Sequence, residues 1–289
     1  MSDYTQISFP AFGIKINPSL GFSLGPLEFR WYGLLIALGL MLAVFYGCKR
    51  SKHFGLRSDD ILDGVLFIVP FAVLCARLYY CVFEWPLYRD NPISILYIWE
   101  GGLAIYGGVI GAAIGIVIFA LIKKDKVNLL AVLDITALGF LIGQSIGRWG
   151  NFFNREAFGA ETNVFIRMGL MDGDTGVITY HHPTFLYESL WNACGFVLLH
   201  FLSKKRRYDG QIALGYMAWY GLGRAMIEGL RTDSLYWGPF RVSQVLAAAS
   251  CIIAVGVLIF FHLRKPNPEK LFVNQVAKRE TVSEEPPKE

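Results

Sequence analysis

Gly147-Arg148-Trp149-Gly150-Asn151-Phe152-Phe153-Asn154-Arg155-Glu156-Ala157-Phe158-Gly159 stands directly behind an apolar run at 127–146. Arginine, asparagine and glutamate at the end of a membrane-length run are costly unless a protected or hydrated cavity receives them, so the cluster marks a functional site. Outward from it, windows of spanning length fall at 31–48, 61–83, 101–122, 127–146, 184–203, 210–227 and 242–263. The window at 61–83 carries Asp63 and Arg77, but a soluble buried helix among six other spans fits less well. At 54% hydrophobic and 17% charged, the chain is more apolar than a soluble core of 289 residues needs. The expected fold is an all-α polytopic membrane protein of seven transmembrane helices.

Orientation follows from the basic residues, because short cytoplasmic loops retain positive charge. Lys49, Arg50, Lys52 and Arg57 follow the first span, Lys123, Lys124 and Lys126 the third, Lys204, Lys205, Arg206 and Arg207 the fifth, and six more come after the seventh. Those ends are expected to be cytoplasmic, which puts the amino terminus outside and the carboxyl terminus inside. The net charge of +4 then reports orientation and attraction to anionic membrane lipid, not nucleic acid. On the outer side the positive residues are Lys15, Arg30, Arg89, Arg148, Arg155, Arg167, Arg231 and Arg241, seven of eight being arginine. Guanidinium forks grip a phosphate bidentately, whereas an ammonium acts as a point charge. For any single one, snorkelling at a helix end is the ordinary explanation; the group as a whole points to an anion.

Residues 1–265 read as a single integral membrane domain with an extracytoplasmic insertion at about 148–183, in which Asp172-Gly173-Asp174 is expected to be a turn. From Pro266 the chain turns polar, and 266–289 reads as a disordered cytoplasmic tail. Cys48, Cys75, Cys81, Cys194 and Cys251 all fall in spans without metal-ligand spacing. The first thirty residues carry no basic n-region with a cleavage site, so the first span is expected to stay as an anchor.

Three further stretches converge on the outer side. Arg30-Trp31-Tyr32-Gly33 ends the first span, where an interfacial aromatic belt accounts for Trp31 and leaves Tyr32 ambiguous. In Gly101-Gly102-Leu103-Ala104-Ile105-Tyr106-Gly107-Gly108 and onward, Gly107, Gly111 and Gly115 lie four apart, a pattern for close helix packing that would turn Tyr106 into a packed interior. His181-His182-Pro183-Thr184-Phe185-Leu186-Tyr187-Glu188 opens the fifth span, and Tyr220, Arg224 and Glu228 form one stripe at i, i+4, i+8 on the sixth. Arg224 with Glu228 reads either as a buried structural ion pair or, beside Arg148, as half of a phosphate clamp. In the opening cluster, backbone amides at the glycines could approach an anion, against the plainer reading of an interfacial turn capped by asparagines.

These residues resemble the bacterial prolipoprotein diacylglyceryl transferase family. The Gly-Arg-x-Gly-Asn-Phe-x-Asn-x-Glu-x-x-Gly pattern at 147–159 is similar to that family's signature, and Arg-Trp-Tyr-Gly, Gly-Gly-x-x-x-x-Gly-Gly, His-Pro-Thr-x-x-Tyr-Glu and Gly-x-x-Arg-x-x-x-Glu occur in family order from Arg30 to Gln244. The resemblance implies a multi-pass protein of the bacterial cytoplasmic membrane, its active site facing the outer side. It implies transfer of the diacylglyceryl group of phosphatidylglycerol to the lipobox cysteine of a prolipoprotein signal peptide, with release of glycerol phosphate and with no metal or other cofactor. The family's important positions carry over onto Tyr32, Arg148, Asn151, Glu156, Gly159, Tyr220, Arg224, Glu228 and Arg231. Of these, Arg148, Asn151, Gly159, Tyr220, Arg224 and Arg231, with His182, are expected to bind the lipid. Many relatives carry histidine where this chain has Tyr106, and often glutamine where it has Phe185, so a base role proposed for that histidine does not transfer unchanged.

The chemistry fits the residues independently. Making a thioether at a glycerol carbon breaks a carbon–oxygen bond, so charge growing on the departing phosphate must be neutralised and a thiolate supplied. A free thiol has a pKa of about 8.5, so a base or a positive field must favour its thiolate; Tyr106 and His182 are the candidates. Arg148 and Arg224 are expected to hold the phosphate, Glu156 and Glu228 to orient them, and Asn151 to bond the glycerol head. A transporter for an anionic solute is the alternative from another class, and it would want its charges at the bilayer centre, where only Asp63, Arg77 and Asp134 stand. A metal-dependent head-group enzyme would want a carboxylate-rich motif.

Overall fold

A computed structural model of the chain describes residues 4–25, 27–124, 126–232 and 236–284. In chain order the elements are β1 (Tyr4–Phe9), β2 (Ile14–Ile16), β3 (Gly21–Leu24), β4 (Leu27–Arg30), α1 (Trp31–Arg50), α2 (Ser58–Phe83), α3 (Trp85–Tyr88), α4 (Ile105–Ile122), α5 (Leu129–Asn154), β5 (Met168–Asp172), β6 (Ile178–His181), α6 (Thr184–Ser203), α7 (Gln211–Glu228), β7 (Tyr236–Trp237), β8 (Phe240–Arg241), α8 (Val242–Arg264) and α9 (Phe272–Glu284). The chain is mostly helical, as its sequence predicts. By length and composition α1, α2, α4, α5, α6 and α8 suit a membrane. α7 also forms where a span is expected, but its polar stripe keeps it out of that set.

Where a single membrane domain is expected, the chain divides into two compact units, residues 1–45 with 136–268 and residues 46–135 with 269–289. In the first, strands that the hydropathy pattern does not announce build a sheet of order β2-β1-β5-β6, all neighbours antiparallel. Its inner face carries Ile7, Met168 and Leu170, which pack on Phe152 near the end of α5 and Phe185 at the start of α6. Phe152 and Phe185 meet at 4.9 Å between ring centres and Trp149 reaches Phe185 at 5.4 Å. Phe185 is thus an aromatic core residue. At the sheet's far end Asp172 Oδ1 accepts hydrogen bonds from the backbone of Asp174 (3.1 Å) and Thr175 (2.7 Å) and from the Thr175 hydroxyl (2.8 Å), making the expected turn. Those bonds, the Thr175 amide first, hold the Asp172 carboxyl below the usual carboxylate range.

Below the sheet, α5 and α6 exchange hydroxyls: Ser145 Oγ donates to Ser189 O at 2.9 Å and Ser189 Oγ to Ser145 O at 2.8 Å. Trp149 Nε1 adds a bond to Ser189 Oγ at 3.2 Å. Gln144 Nε2 reaches Tyr216 on α7 at 2.9 Å. Small hydroxyls that pair across helices suit a setting in which apolar lipid supplies no force to press helices together.

The second unit pairs α2 with α4 through the expected glycines. A Cβ at Gly107 would lie 2.6 Å from Cys75 O, and one at Gly115 3.2 Å from the Phe71 ring, so the bare backbone of α4 lies against α2. Tyr106 does not point into this contact and is 50% exposed. It precedes Gly107 by one residue, about 100° round the helix from the packed face. As far as Glu284 the tail also departs from expectation, residues 285–289 lying outside the described ones: α9 is a helix, Leu271 and Phe272 are buried, and Val273 Cα would stand 2.8 Å from a Cβ at Gly55. Its few apolar residues are concentrated where they meet the turn at 51–55, which averaged composition conceals.

Candidate active site

The first half of the signature is helix. Where an interfacial turn is one expectation, α5 continues to Asn154, so Arg148 and Asn151 stand three apart on its last turns and face the same side. The chain then leaves the helix through Arg155 at φ 53° and Ala157 at φ 56°, both in the left-handed region that side chains disfavour. Arg155 is held there by Nη2, which donates to Thr5 O at 3.2 Å, Asn17 Oδ1 at 3.0 Å and Pro18 O at 2.6 Å. Burial lowers its pKa, and the amino-terminal strands thus clamp the signature loop from outside.

Between those two residues, Glu156 turns back. Its Oε1 accepts from Asn151 Nδ2 at 2.9 Å and from Asn154 Nδ2 at 3.2 Å. Glu156 therefore orients Asn151, whose Oδ1 accepts from Arg148 Nη1 at 3.4 Å. Its link to Arg148 therefore runs through Asn151.

Glu188, one turn into α6, is the centre that sequence reasoning missed. It is 4% exposed. Its Oε2 lies 2.6 Å from Arg148 Nη2, and its Oε1 lies 3.2 Å from Arg224 Nη1 and 3.4 Å from Arg231 Nη1. Arg224 Nη2 lies 2.5 Å from Glu228 Oε2, off the hydrogen-bonding angle, and Arg241 Nη1 donates to Glu228 O. α5, α6 and α7 thus each contribute to one network: among the described residues Arg148, Arg224 and Arg231 meet Glu188, and Arg224 also meets Glu228. The signal was present in the sequence, since Glu188 closes the His-Pro-Thr-x-x-Tyr-Glu element, but spacing along one helix cannot reveal a partner on another.

The remaining expected residues fall into place around this network. Tyr220 lines the narrow space beside Glu188 and Arg224 and stacks on Tyr216 at 5.6 Å. Gly159 is a crossing point: its amide donates to His182 O at 2.9 Å, it bridges to Arg231, and a Cβ there would lie 2.7 Å from His182 Cβ and 2.9 Å from Leu230 O. No side chain fits at Gly159, and its contribution is to let these strands meet. The His182 ring faces Tyr187 Oη at 3.3 Å, and burial pushes its pKa below the usual histidine value. Tyr32, 39% exposed on the first turn of α1, lies against Gly150, where a Cβ would meet its ring at 2.5 Å. Tyr106 belongs to the second unit. Beside the network, a cavity of about 390 Å³ is lined by Tyr187, Trp191, Gly223, Met226, Ile227 and Leu230, almost wholly apolar.

Six helices of membrane-spanning length and composition make this a multi-pass membrane protein, in which Arg148, Arg224 and Arg231 gather round Glu188 beside an apolar cavity. More particularly, a family model described as prolipoprotein diacylglyceryl transferase matches residues 19–260, and the chain belongs to that family. Similar proteins named phosphatidylglycerol–prolipoprotein diacylglyceryl transferase include one from Streptococcus agalactiae, 44% identical over 254 residues that cover 85% of this chain and 96% of the relative. One from Listeria welshimeri is 40% identical over 267 residues, covering 89% and 94%, and one from Listeria innocua 38% over 277 residues, covering 92% and 97%.

Proposed function

We propose that this chain transfers the diacylglyceryl group of phosphatidylglycerol to the thiol of the lipobox cysteine in a prolipoprotein. The observation that carries this reading is the convergence of Arg148, Arg224 and Arg231 on the one buried carboxylate of Glu188 beside an apolar cavity, an arrangement suited to a phosphate that carries hydrocarbon. The sulfur attacks the glycerol carbon that bears the phosphate, a carbon–sulfur bond forms, the carbon–oxygen bond breaks, and glycerol phosphate leaves with the electron pair. Arg148 and Arg224 bind the phosphate and neutralise the charge it gains, Arg231 adds to the field, and Glu188 and Glu228 hold the guanidinium planes in place. Asn151, held by Glu156, bonds the glycerol head. Tyr220 and Tyr32 border the lipid, Gly159 lets the strands close, and the apolar cavity receives hydrocarbon.

His182 takes the thiol proton, since burial keeps its imidazole neutral and able to accept; Tyr106 is the second candidate. The distribution of lysine supports a reading in which this chemistry faces the outer side of the membrane, with seven spans and the carboxyl terminus inside, and the family resemblance supports the bacterial cytoplasmic membrane.

The test is a purified assay with phosphatidylglycerol and a lipobox-cysteine peptide, following mass gain on the peptide and glycerol phosphate release. Wild type is expected to give both products and Arg148→Ala neither. Folded wild-type protein that yields neither product overturns the reading and favours transport, which solute flux in sealed vesicles would then reveal.

A further inference from the structure

Two tryptophans, of which Trp191 also lines the apolar cavity, tie α6 to α7 in a reciprocal way. Trp191 Nε1 donates to Trp219 O at 3.0 Å, and Trp219 Nε1 donates to Trp191 O at 2.9 Å. The indoles stack with centres 4.4 Å apart and planes at 20°. Each ring lies against a glycine four residues along the other helix: a Cβ at Gly195 would meet the Trp219 indole, and one at Gly223 would lie 2.7 Å from Trp191 Cε2. The pattern Trp-x-x-x-Gly therefore occurs once on each helix, at 191–195 and 219–223, and each copy holds the other.

In a helix every backbone carbonyl before the last turn already accepts one bond, so these indole bonds add a second acceptor role at a fixed height on each axis. Sliding either helix along the other breaks both bonds and drives an indole into a glycine backbone. The clasp thus fixes axial register, and a short step away lie the groups whose contact depends on register: Glu188 is three residues before Trp191, and Arg224 follows Gly223 directly. The Arg224–Glu188 separation of 3.2 Å is the closest consequence.

We propose that Trp191 and Trp219 are positioning residues, acting through Arg224, for the transfer reaction; this rests on the function proposed above. Misplacement of a catalytic group by about 1 Å can cost on the order of 100-fold, and loss of one indole bond should move Arg224 by less. In the full chain in lipid nanodiscs, Trp191→Phe and Trp219→Phe, which keep an aromatic ring and remove only the N–H and some bulk, are each expected to lower kcat by about tenfold with KM for the peptide within about twofold. Both should erase the indole–indole couplet in the circular dichroism spectrum. In an Arg224→Lys background, Trp219→Phe should cause no further loss, because the residue through which it acts no longer makes the bidentate contact. Unchanged kcat in both single variants, or a full tenfold loss repeated in the Arg224→Lys background, overturns the proposal. A wild type that shows the couplet yet makes no product overturns the transferase reading beneath it.

Discussion

Arg77 in the second unit and Arg148 in the first are both arginines on membrane-length helices, yet they are neutralised in opposite ways. Arg77 is 4% exposed, and its Nε donates to Ile95 O, its Nη1 to Gly101 O and Gly102 O, and its Nη2 to Ser94 O and Tyr97 O, at 2.6–3.3 Å. A guanidinium has five N–H donors, and five carbonyls meet them, so nothing is left over for a ligand. The ring of Tyr88 covers the cation at 5.1 Å. Arg148, by contrast, shares one carboxylate with Arg224 and Arg231. A saturated arginine holds a loop; arginines that converge on one shared carboxylate are the ones proposed above to meet a phosphate. The distinction separates a structural from a functional buried charge better than depth in the membrane does.

The largest expected effect comes from removing the shared counter-ion. Glu188→Ala removes the carboxylate that Arg148, Arg224 and Arg231 share, and breaking a buried charge set in this way costs about 3–5 kcal/mol of stability. A thermal or denaturant melt in detergent checks it, and a melt like that of wild type would mean that the arginines never needed Glu188. Next come Arg148→Lys and Arg224→Lys, which keep the charge and lose the fork. Each should lower kcat/KM about 100-fold, or about 2.7 kcal/mol, with little change in the melt. Turnover near normal would reduce the site to simple charge attraction.

How much of this was legible beforehand divides along the same line. The spans, the glycine face at 107, 111 and 115 and the stripe at 220, 224 and 228 follow from periods within one helix, and α7 shows that such a stripe can be recognised even where it depresses hydropathy. Glu188 and the reciprocal tryptophans depend on which helices become neighbours, and a single sequence does not record that. The amino-terminal strands were missed because β1 pairs with β5 across more than 150 residues and presents only Ile7 strongly to the core. Tyr106 was misplaced by one residue's rotation, and the tail by averaging Leu271 and Phe272 into a polar segment. The turn at Glu156 rests on left-handed backbone at Arg155 and Ala157, which no residue preference foretells.

Arg77→Lys sharpens the comparison from the structural side. An ammonium has three donors against five carbonyls, so at least two acceptors lose their partner, for about 1–3 kcal/mol of stability. The folded fraction should turn over at the wild-type rate, measured as activity per mole of protein that survives size-exclusion chromatography. A fall in kcat among intact molecules would show that a saturated arginine also serves the reaction, and the contrast with Arg148 would weaken.

The smallest effect concerns pH. Burial holds the His182 imidazole below its ordinary value near 6.5, so at neutral pH it has already lost its proton and acts as a base. As pH rises from about 6.5 to 8, wild-type kcat/KM should therefore change by less than about twofold, and it should fall only below that range as the imidazole is protonated. In His182→Ala the proton has no acceptor in the site, and the rate should instead climb with pH toward the thiol's own pKa of about 8.5. The two profiles converge at high pH, where thiolate forms without help. If His182→Ala keeps the flat wild-type profile, the base lies elsewhere. Tyr106→Phe then becomes the deciding variant.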